Sequence, residues 1–298
     1  MKIVIAGGSG FVGHALSSYL LHANHEVIIL TRKPSYTDGA IKYVQWLKAG
    51  SAPEKQLSNI DAIINLAGTS LNEGRWTKNR KEEIYISRIE ATMAINRLIE
   101  ELPQKPKVLV NASAVGIYPT SKAATYNEAS TQQAHDFLGK TVADWESVAK
   151  KSQALGVRVV LCRFGVIFGK GGGALPMMVL PYKLHVGGNL GSGLQWVSWV
   201  HLDDVARAID FILHDESISG PVNITSPNPV RMTQIGQTIS TILQRKHWFP
   251  TPSPLLKIAL GEKSMMILEG QRVIPVVLQN SGFEFSYAKI QDALTNLL

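Results

Sequence analysis

Three glycines have the clearest chemical purpose in this sequence. Gly7, Gly10 and Gly13 stand at GxxGxxG spacing in AGGSGFVG, after the apolar run KIVIA and ahead of FVGHALSSYLL, whose apolar residues recur at helical spacing. At such a strand-to-helix turn the first glycine permits the bend. The second lets the backbone approach a pyrophosphate, and the third lets helix and strand pack closely. The helix N-terminus, headed by Phe11 and Val12, presents free N–H groups and partial positive charge to an anion. The implied ligand is a dinucleotide. Its identity is read at the end of the second strand, where HEVIILTR runs into Lys33. Thr31, Arg32 and Lys33 include no acid to hold ribose hydroxyls, whereas Arg32 can stack on adenine and pair with a 2′-phosphate, with Lys33 adding charge. The expectation is NADP(H) over NAD(H).

Other candidates sit where apolar runs end. Open α/β sheets bind ligands beyond the carboxyl ends of their strands. That rule places Leu66, Ala67 and Gly68 of INLAG, Ser113 and Tyr118 of NASAVGIY, and Phe164, Gly165 and Val166 of RFGVIFG along one cleft. Arg88, on the helix that would pass this cleft, can reach a substrate or phosphate. Arg75 and Trp76 can close over the cleft or simply pack. His201 can touch substrate or sit at a helix start, with Asp203 and Asp204 suiting the helix dipole. The glycines at 171–173 can hinge a lid or form a passive loop. The eight histidines show no metal-ligand spacing and there is no cysteine cluster, so no metal is expected.

The elements that must position these residues alternate along the chain. Strands are expected over 2–6, 25–32 and 157–169 and, each running into a loop, within 61–68 and 106–118, with helices over 81–102 and 136–155. Continuous apolar strands alternating with helices predict a doubly wound, Rossmann-like parallel sheet covered on both faces. After Gly169 come glycine-rich segments around a helix near 174–185, a strand in LQWVSWV, a helix in LDDVARAIDFILHD and a short strand in GPVNIT. The tail from about residue 248 reads as mostly helical and separate from the α/β core. The expected organisation is a Rossmann domain over 1–225 and a small, mostly helical C-terminal domain over 246–298 on the substrate side.

Composition narrows the function class. The 298 residues carry a formal charge of +7 and a pI of about 9.4, but the basic residues are scattered, which argues against nucleic acid. No apolar stretch reaches the length of a membrane span, the N-terminal apolar run is too short for a signal peptide, and no membrane partner is expected. The single cysteine, Cys162, lies in an apolar run and reads as core, which fits a reducing, cytoplasmic location.

Taken together, AGGSGFVG, INLAG, RWT, SRIEAT, SAVGIY, DFL…DWE, GSGLQWVSWVHLDD, GPVNITSPNPV, LGE and GFEF resemble the atypical, sugar-epimerase-like branch of the short-chain dehydrogenase/reductases. Specifically, they resemble the epimerase family proteins with a short C-terminal domain of unknown function, over nearly the whole chain. The resemblance implies an NAD(P)-dependent epimerase or dehydratase acting on a nucleotide sugar or small carbonyl compound, and pairing of the 81–102 and 136–155 helices across a homodimer. In the wider superfamily a tyrosine and a lysine four residues later transfer the proton, and a serine polarises the substrate oxygen. Ser113 can fill the serine role. HDFLGKTVADWE, however, has Phe137 and Leu138 where the tyrosine belongs, and Lys140 is two residues after Leu138. Two readings remain open. In one, the enzyme uses another acid or base, with Tyr118 beside Ser113 the leading candidate and Asp136 and Lys140 behind it. In the other, the protein binds NADPH without catalysis, as a sensor or scaffold.

Overall fold

The computed structural model describes all residues, Met1–Leu298. Its centre is an eight-stranded sheet built from β1 (Lys2–Ala6), β2 (Glu26–Thr31), β3 (Tyr36–Asp38), β4 (Ile41–Gln45), β5 (Ala62–Asn65), β6 (Val108–Ala114), β8 (Arg158–Phe164) and β13 (Gly220–Ile224). The order is β13-β8-β6-β5-β1-β2-β4-β3. Every pairing is parallel except β3 with β4. A two-residue strand β7 (Thr125–Tyr126) lies outside this sheet.

Side chains alternate across the strands, and both faces are buried. Ile3 and Ile5 pack with Leu16 and Leu20 of α1 (Phe11–His22) and Ile209 of α5 (Leu202–His214). Val4 and Ala6 pack on the other face with Ile95 and Ile99 of α2 (Lys78–Glu101) and Ala149 of α3 (Phe137–Lys150). Two covered faces explain why these strands read as unbroken apolar runs. Strand order reverses between β1 and β5, and an open α/β sheet forms its ligand crevice at such a switch point.

The β3–β4 hairpin has no counterpart in the sequence-based expectation. Its strands lie at the edge of the sheet, mostly exposed, so no apolar period marks them. The stacked rings of Tyr36 and Tyr43, 4.3 Å apart, clamp the pair. LQWVSWV also departs from the expected single strand. It divides at Ser198 into β11 (Trp196–Val197) and β12 (Trp199–His201). The Ser198 hydroxyl donates to Gln271 O and accepts from Val273 N, both at 2.8 Å, which anchors the break.

A second lobe stands beyond the carboxyl edge of the sheet. It contains β9 (Val166–Gly169), β10 (Gly172–Gly173), α4 (Leu175–Lys183), β14 (Val230–Arg231) and α6 (Met232–Leu243). β9 lies between β10 and β12, and β11 pairs with β14. The tail comprises α7 (Ser253–Leu260), α8 (Met265–Leu268), β15 (Arg272–Val273), α9 (Val276–Asn280) and α10 (Ile290–Leu297). It does not stand apart from the core as expected. β15 pairs with β7, Leu278 and Phe283 join the α1/α5 cluster, and Ile290 and Leu294 pack against Ile235 of α6. Its short helices could not each bury an apolar face alone, so they distribute it over existing surfaces.

Candidate cofactor site and a buried polar network

The turn after β1 is shaped by glycine. Gly7 takes a φ of +82°, and a Cβ there would stand 2.7 Å from Leu66 C and O, so β1 and β5 close on one another. A Cβ on Gly13 would lie 2.2 Å from Gly7 O, so the third glycine lets α1 start directly against the turn. At Gly10 a Cβ would meet only Gly7 O, at 3.3 Å. The space above this residue is open. Gly10 caps α1 without any side-chain hydrogen bond, and the first turn holds no acid. An open glycine cradle facing an uncapped helix N-terminus fits a dinucleotide pyrophosphate. The Phe11 ring packs beneath the β9–β10 hairpin, where a Cβ on Gly172 would come within 2.4 Å of it. Those loop glycines therefore make room for an aromatic ring.

Across the switch point, a buried amide holds the β5 turn. Asn65 Nδ2 donates to Thr92 Oγ1 at 3.0 Å and to Asn111 Oδ1 at 2.7 Å, while its Oδ1 accepts from Ala67 N at 3.2 Å. Trp145 Nε1 donates to the same Thr92 hydroxyl at 2.8 Å. This network fixes Leu66, Ala67 and Gly68 against the glycine turn. Arg88 lies beside them, its guanidinium 5.3 Å from the Trp145 ring centroid. Only Nη1 has protein acceptors, Thr69 O and Ile84 O. A Cβ on Gly68 would come within 3.2 Å of the Arg88 side chain. No carboxylate pairs with this cation, and its pKa falls to about 10, mainly through burial and secondarily through Arg80. A half-buried guanidinium with free donors and no anion is suited to an anionic ligand.

Arg32 and Lys33 follow β2, the next strand along the edge, and both are exposed and without an acidic partner. Phe164 and Val166 lie half-buried where β8 passes into β9. A Cβ on Gly165 would stand 2.3 Å from Ser198 O, so this glycine allows the passage. Arg75 donates to Ile258 O and Ala259 O, and Lys81 pairs with Glu262 at 2.7 Å, tying the tail to the start of α2. Trp76 is buried, packing edge-on against Phe137. Between these ties runs a cleft lined by Lys81, Asp136, Phe137, Lys257, Glu262 and Met265.

The expected catalytic residues do not assemble in that cleft. Ser113 Oγ donates to Glu146 Oε1 at 2.6 Å. Glu146 also accepts from Arg163 Nε and Nη2 at 2.8 and 2.9 Å. Arg163 Nη1 donates to the Tyr118 hydroxyl at 2.8 Å, and that hydroxyl donates to Asn223 Oδ1 at 3.0 Å. Tyr118 is 1% exposed and stacks on Tyr126. Burial pushes its phenol pKa up, against the opposing pull of Arg163. A buried phenol with both hydrogen-bonding roles filled and a raised pKa is a poor base at neutral pH. Lys140 projects into solvent and pairs with Asp144 at 3.2 Å. Asp136 caps α3, accepting from Gly139 N at 2.8 Å. The residue four positions beyond Leu138 is Val142, which is buried among apolar neighbours. His201 is likewise a cap, accepting from Asp203 N, and its ring stacks on Tyr287 at 3.8 Å. Cys162 is fully buried, with a thiol pushed up to about 12.

Sequence reasoning placed Asn65, within NLAG, beside the cleft but overlooked Thr92, Asn111, Trp145, Glu146, Arg163 and Asn223. Three of these were marked by an anomaly: Asn111, Arg163 and Asn223 are polar residues inside otherwise apolar strands. Such residues must find partners when buried.

Comparison with known proteins agrees with this geometry. The family model for the NAD dependent epimerase/dehydratase family matches residues 3–225, and a domain of unknown function, DUF1731, matches residues 251–297. The epimerase family protein YfhF of Bacillus subtilis is 46% identical over 299 residues, covering 100% of this chain and 98% of the relative. An epimerase family protein of Staphylococcus aureus is 41% identical, covering 100% and 99%. Among solved structures, human epimerase family protein SDR39U1 with NADPH superposes with a TM-score of 0.90 at 33% identity, covering 100% of this chain and 99% of that one. A nucleoside-diphosphate sugar epimerase from Corynebacterium glutamicum gives 0.79 at 28%, covering 99% of this chain and 57% of that one. An NAD(P)-binding Rossmann-type sheet, a glycine turn at its switch point and sequence likeness along the whole chain lead to one assignment: the chain belongs to the NAD dependent epimerase/dehydratase family.

Proposed function

We propose that this protein is an NADP(H)-dependent oxidoreductase or epimerase acting on a nucleotide sugar or small carbonyl compound. The observation that carries the cofactor choice is the pair Arg32 and Lys33, exposed and unpaired after β2 with no acid at that strand end. Arg32 would hold the 2′-phosphate. The Gly7–Gly13 turn, with Phe11 and Val12 opening α1, would hold the pyrophosphate. Leu66–Gly68, Phe164 and Val166 would border the nicotinamide half, and Arg88 would meet a phosphate or an anionic substrate group. When bound, the nicotinamide supplies or accepts a hydride. Ser113, Tyr118 and Lys140 do not transfer the proton in this reading, because the first two are committed to the buried network and the third lies outside the cleft; the proton that accompanies the hydride would pass through Asp136, the remaining candidate and a residue of the cleft, or through solvent water. A specific observation favours a second reading, that of an NADPH-binding sensor or scaffold. α3 carries Phe137 and Leu138 where the superfamily pattern calls for tyrosine, and neither Thr141 nor Val142, four residues further on, is a lysine.

Calorimetric titration with NADPH and NADH, on wild type and Arg32→Ala, tests the cofactor assignment. A charge-assisted hydrogen bond contributes about 1.5–3 kcal/mol, so Arg32→Ala should weaken NADPH by roughly 10- to 100-fold and leave NADH nearly unchanged. Equal binding of both cofactors by wild type refutes the NADP assignment. Loss of nicotinamide absorbance on adding nucleotide sugars or small carbonyl compounds to the NADPH complex would favour the enzyme reading over the sensor.

A further inference from the structure

An absence of carboxylates and a set of exposed apolar side chains coincide around α4 of the second lobe. No carboxylate occurs between Glu146 and Asp203, or again between Glu216 and Glu262. These two segments supply α4, α6 and α7. α4 buries Leu175, Val179 and Tyr182 on one side. Its opposite stripe, Met177 and Leu180 with Leu184 just beyond the helix, is exposed, Met177 by 71%. That spacing follows a single helical face. Trp248 and Phe249 are held beside this stripe, both backbone N–H groups donating to Gly187 O and the indole donating to His185 O at 3.2 Å. Both side chains remain more than half exposed. Lys183, Arg245 and Lys246 are interspersed among these groups, exposed and without carboxylate partners.

We propose that this face docks on the surface of an anionic lipid bilayer. Exposed aromatic and aliphatic side chains flanked by lysine and arginine insert at the headgroup boundary while the cations remain among the lipid phosphates. No helix is long and apolar enough to cross a membrane, so the attachment is peripheral. Charge argues against a second copy as occupant. A twofold contact through this face would set Lys183, Arg245 and Lys246 against cations with no acid between them. The expectation of no membrane partner rested on the lack of a spanning segment, which does not bear on surface docking.

The test is co-sedimentation of the full chain with phosphatidylcholine vesicles, with and without phosphatidylglycerol. Wild type should bind the anionic vesicles and not the zwitterionic ones, and release as salt rises. Lys183→Glu and Lys246→Glu should each weaken binding by about fivefold or more. Trp248→Ser with Phe249→Ser should abolish it. NADPH affinity and thermal stability, unchanged in every variant, would show that the fold is intact. Failure of wild type to bind anionic vesicles, or unaltered binding by the variants, overturns the proposal. A lipid-independent dimer that dissociates in the aromatic variant would also overturn it, by showing the face to be a self-interface.

Discussion

Glu146→Gln separates a structural role for the Ser113 network from a catalytic one. In the wild type, Glu146 neutralises Arg163 through two hydrogen bonds of 2.8 and 2.9 Å and accepts from Ser113. The paired side chains are only 5% and 9% exposed. Removing one partner of such a buried pair costs about 3–5 kcal/mol, because the remaining charge has no counterion and little water. Glutamine keeps an acceptor for Arg163, which puts the expectation near the lower limit, about 3 kcal/mol. For a chain of this length each kcal/mol corresponds to about 2 °C, so Tm should fall by roughly 6 °C. The double variant Glu146→Met with Arg163→Met removes both charges and should recover about half of that loss, since paired removal leaves no isolated ion. Thermal unfolding read by circular dichroism, with and without NADPH, measures both. A Tm within about 1 °C of wild type for Glu146→Gln would refute the argument. It would mean that the carboxylate is not the counterion on which Arg163 depends, and Ser113 would again be free for chemistry.

Three further outcomes follow from local geometry. Gly13→Ala would place a Cβ 2.2 Å from Gly7 O. Backbone cannot yield as a flexible side chain does, so NADPH binding measured by fluorescence should be lost even where the variant stays folded. Arg88→Ala removes the cation beside Gly68, and NADPH or substrate affinity measured by calorimetry should fall roughly tenfold or more. Stability should hold or rise, because no protein anion loses its partner. Burial holds the His201 pKa below its usual value of 6.5, so the unfolded chain binds the proton more readily than the folded one. Its contribution is therefore complete above about pH 6.5 and diminishes as pH falls below that value. His201→Asn preserves a capping acceptor and should flatten this acid limb in urea titrations at successive pH values. An unchanged slope would refute the assignment.

The parts of this fold legible in the sequence were those with a repeating apolar signal. The strands of the central sheet that bury both faces appear as apolar runs, and Gly7–Gly13 sits where a strand meets a helix. The β3–β4 hairpin escaped because its edge strands are largely exposed. Its Asp38–Gly39 turn was nevertheless a local signal, and Gly39 does take a φ of +55°. The packing of the tail escaped for a different reason. Val273, Leu278, Phe283 and Ile290 join separate clusters through contacts remote in sequence, which no local period encodes. At the site, proximity along the chain made Ser113 and Tyr118 look like partners. They are linked only through Glu146 and Arg163, contributed by α3 and β8.

The same helix shows what stands in place of the superfamily's tyrosine–lysine pair. Leu138, Val142 and Glu146 recur every four residues, so they share a face of α3. Leu138 sits near Gly116, where a Cβ would be 3.7 Å from its own Cβ. Val142 packs with Tyr118 and Tyr126, and Glu146 takes the Ser113 proton donor. The first two turns of that face thus offer no titratable group, and the third directs its carboxylate onto a buried arginine. In this arrangement the Ser113 hydrogen is directed to Glu146 and not to a substrate oxygen. Placing Tyr at 138 and Lys at 142 would therefore be insufficient while Glu146 holds Ser113. Leu138→Tyr with Val142→Lys should bury an ammonium near Arg163, destabilise the chain by at least about 2 kcal/mol and produce no gain in NADPH oxidation. A stable variant with new turnover would show that the network yields to the relay, and would overturn this account.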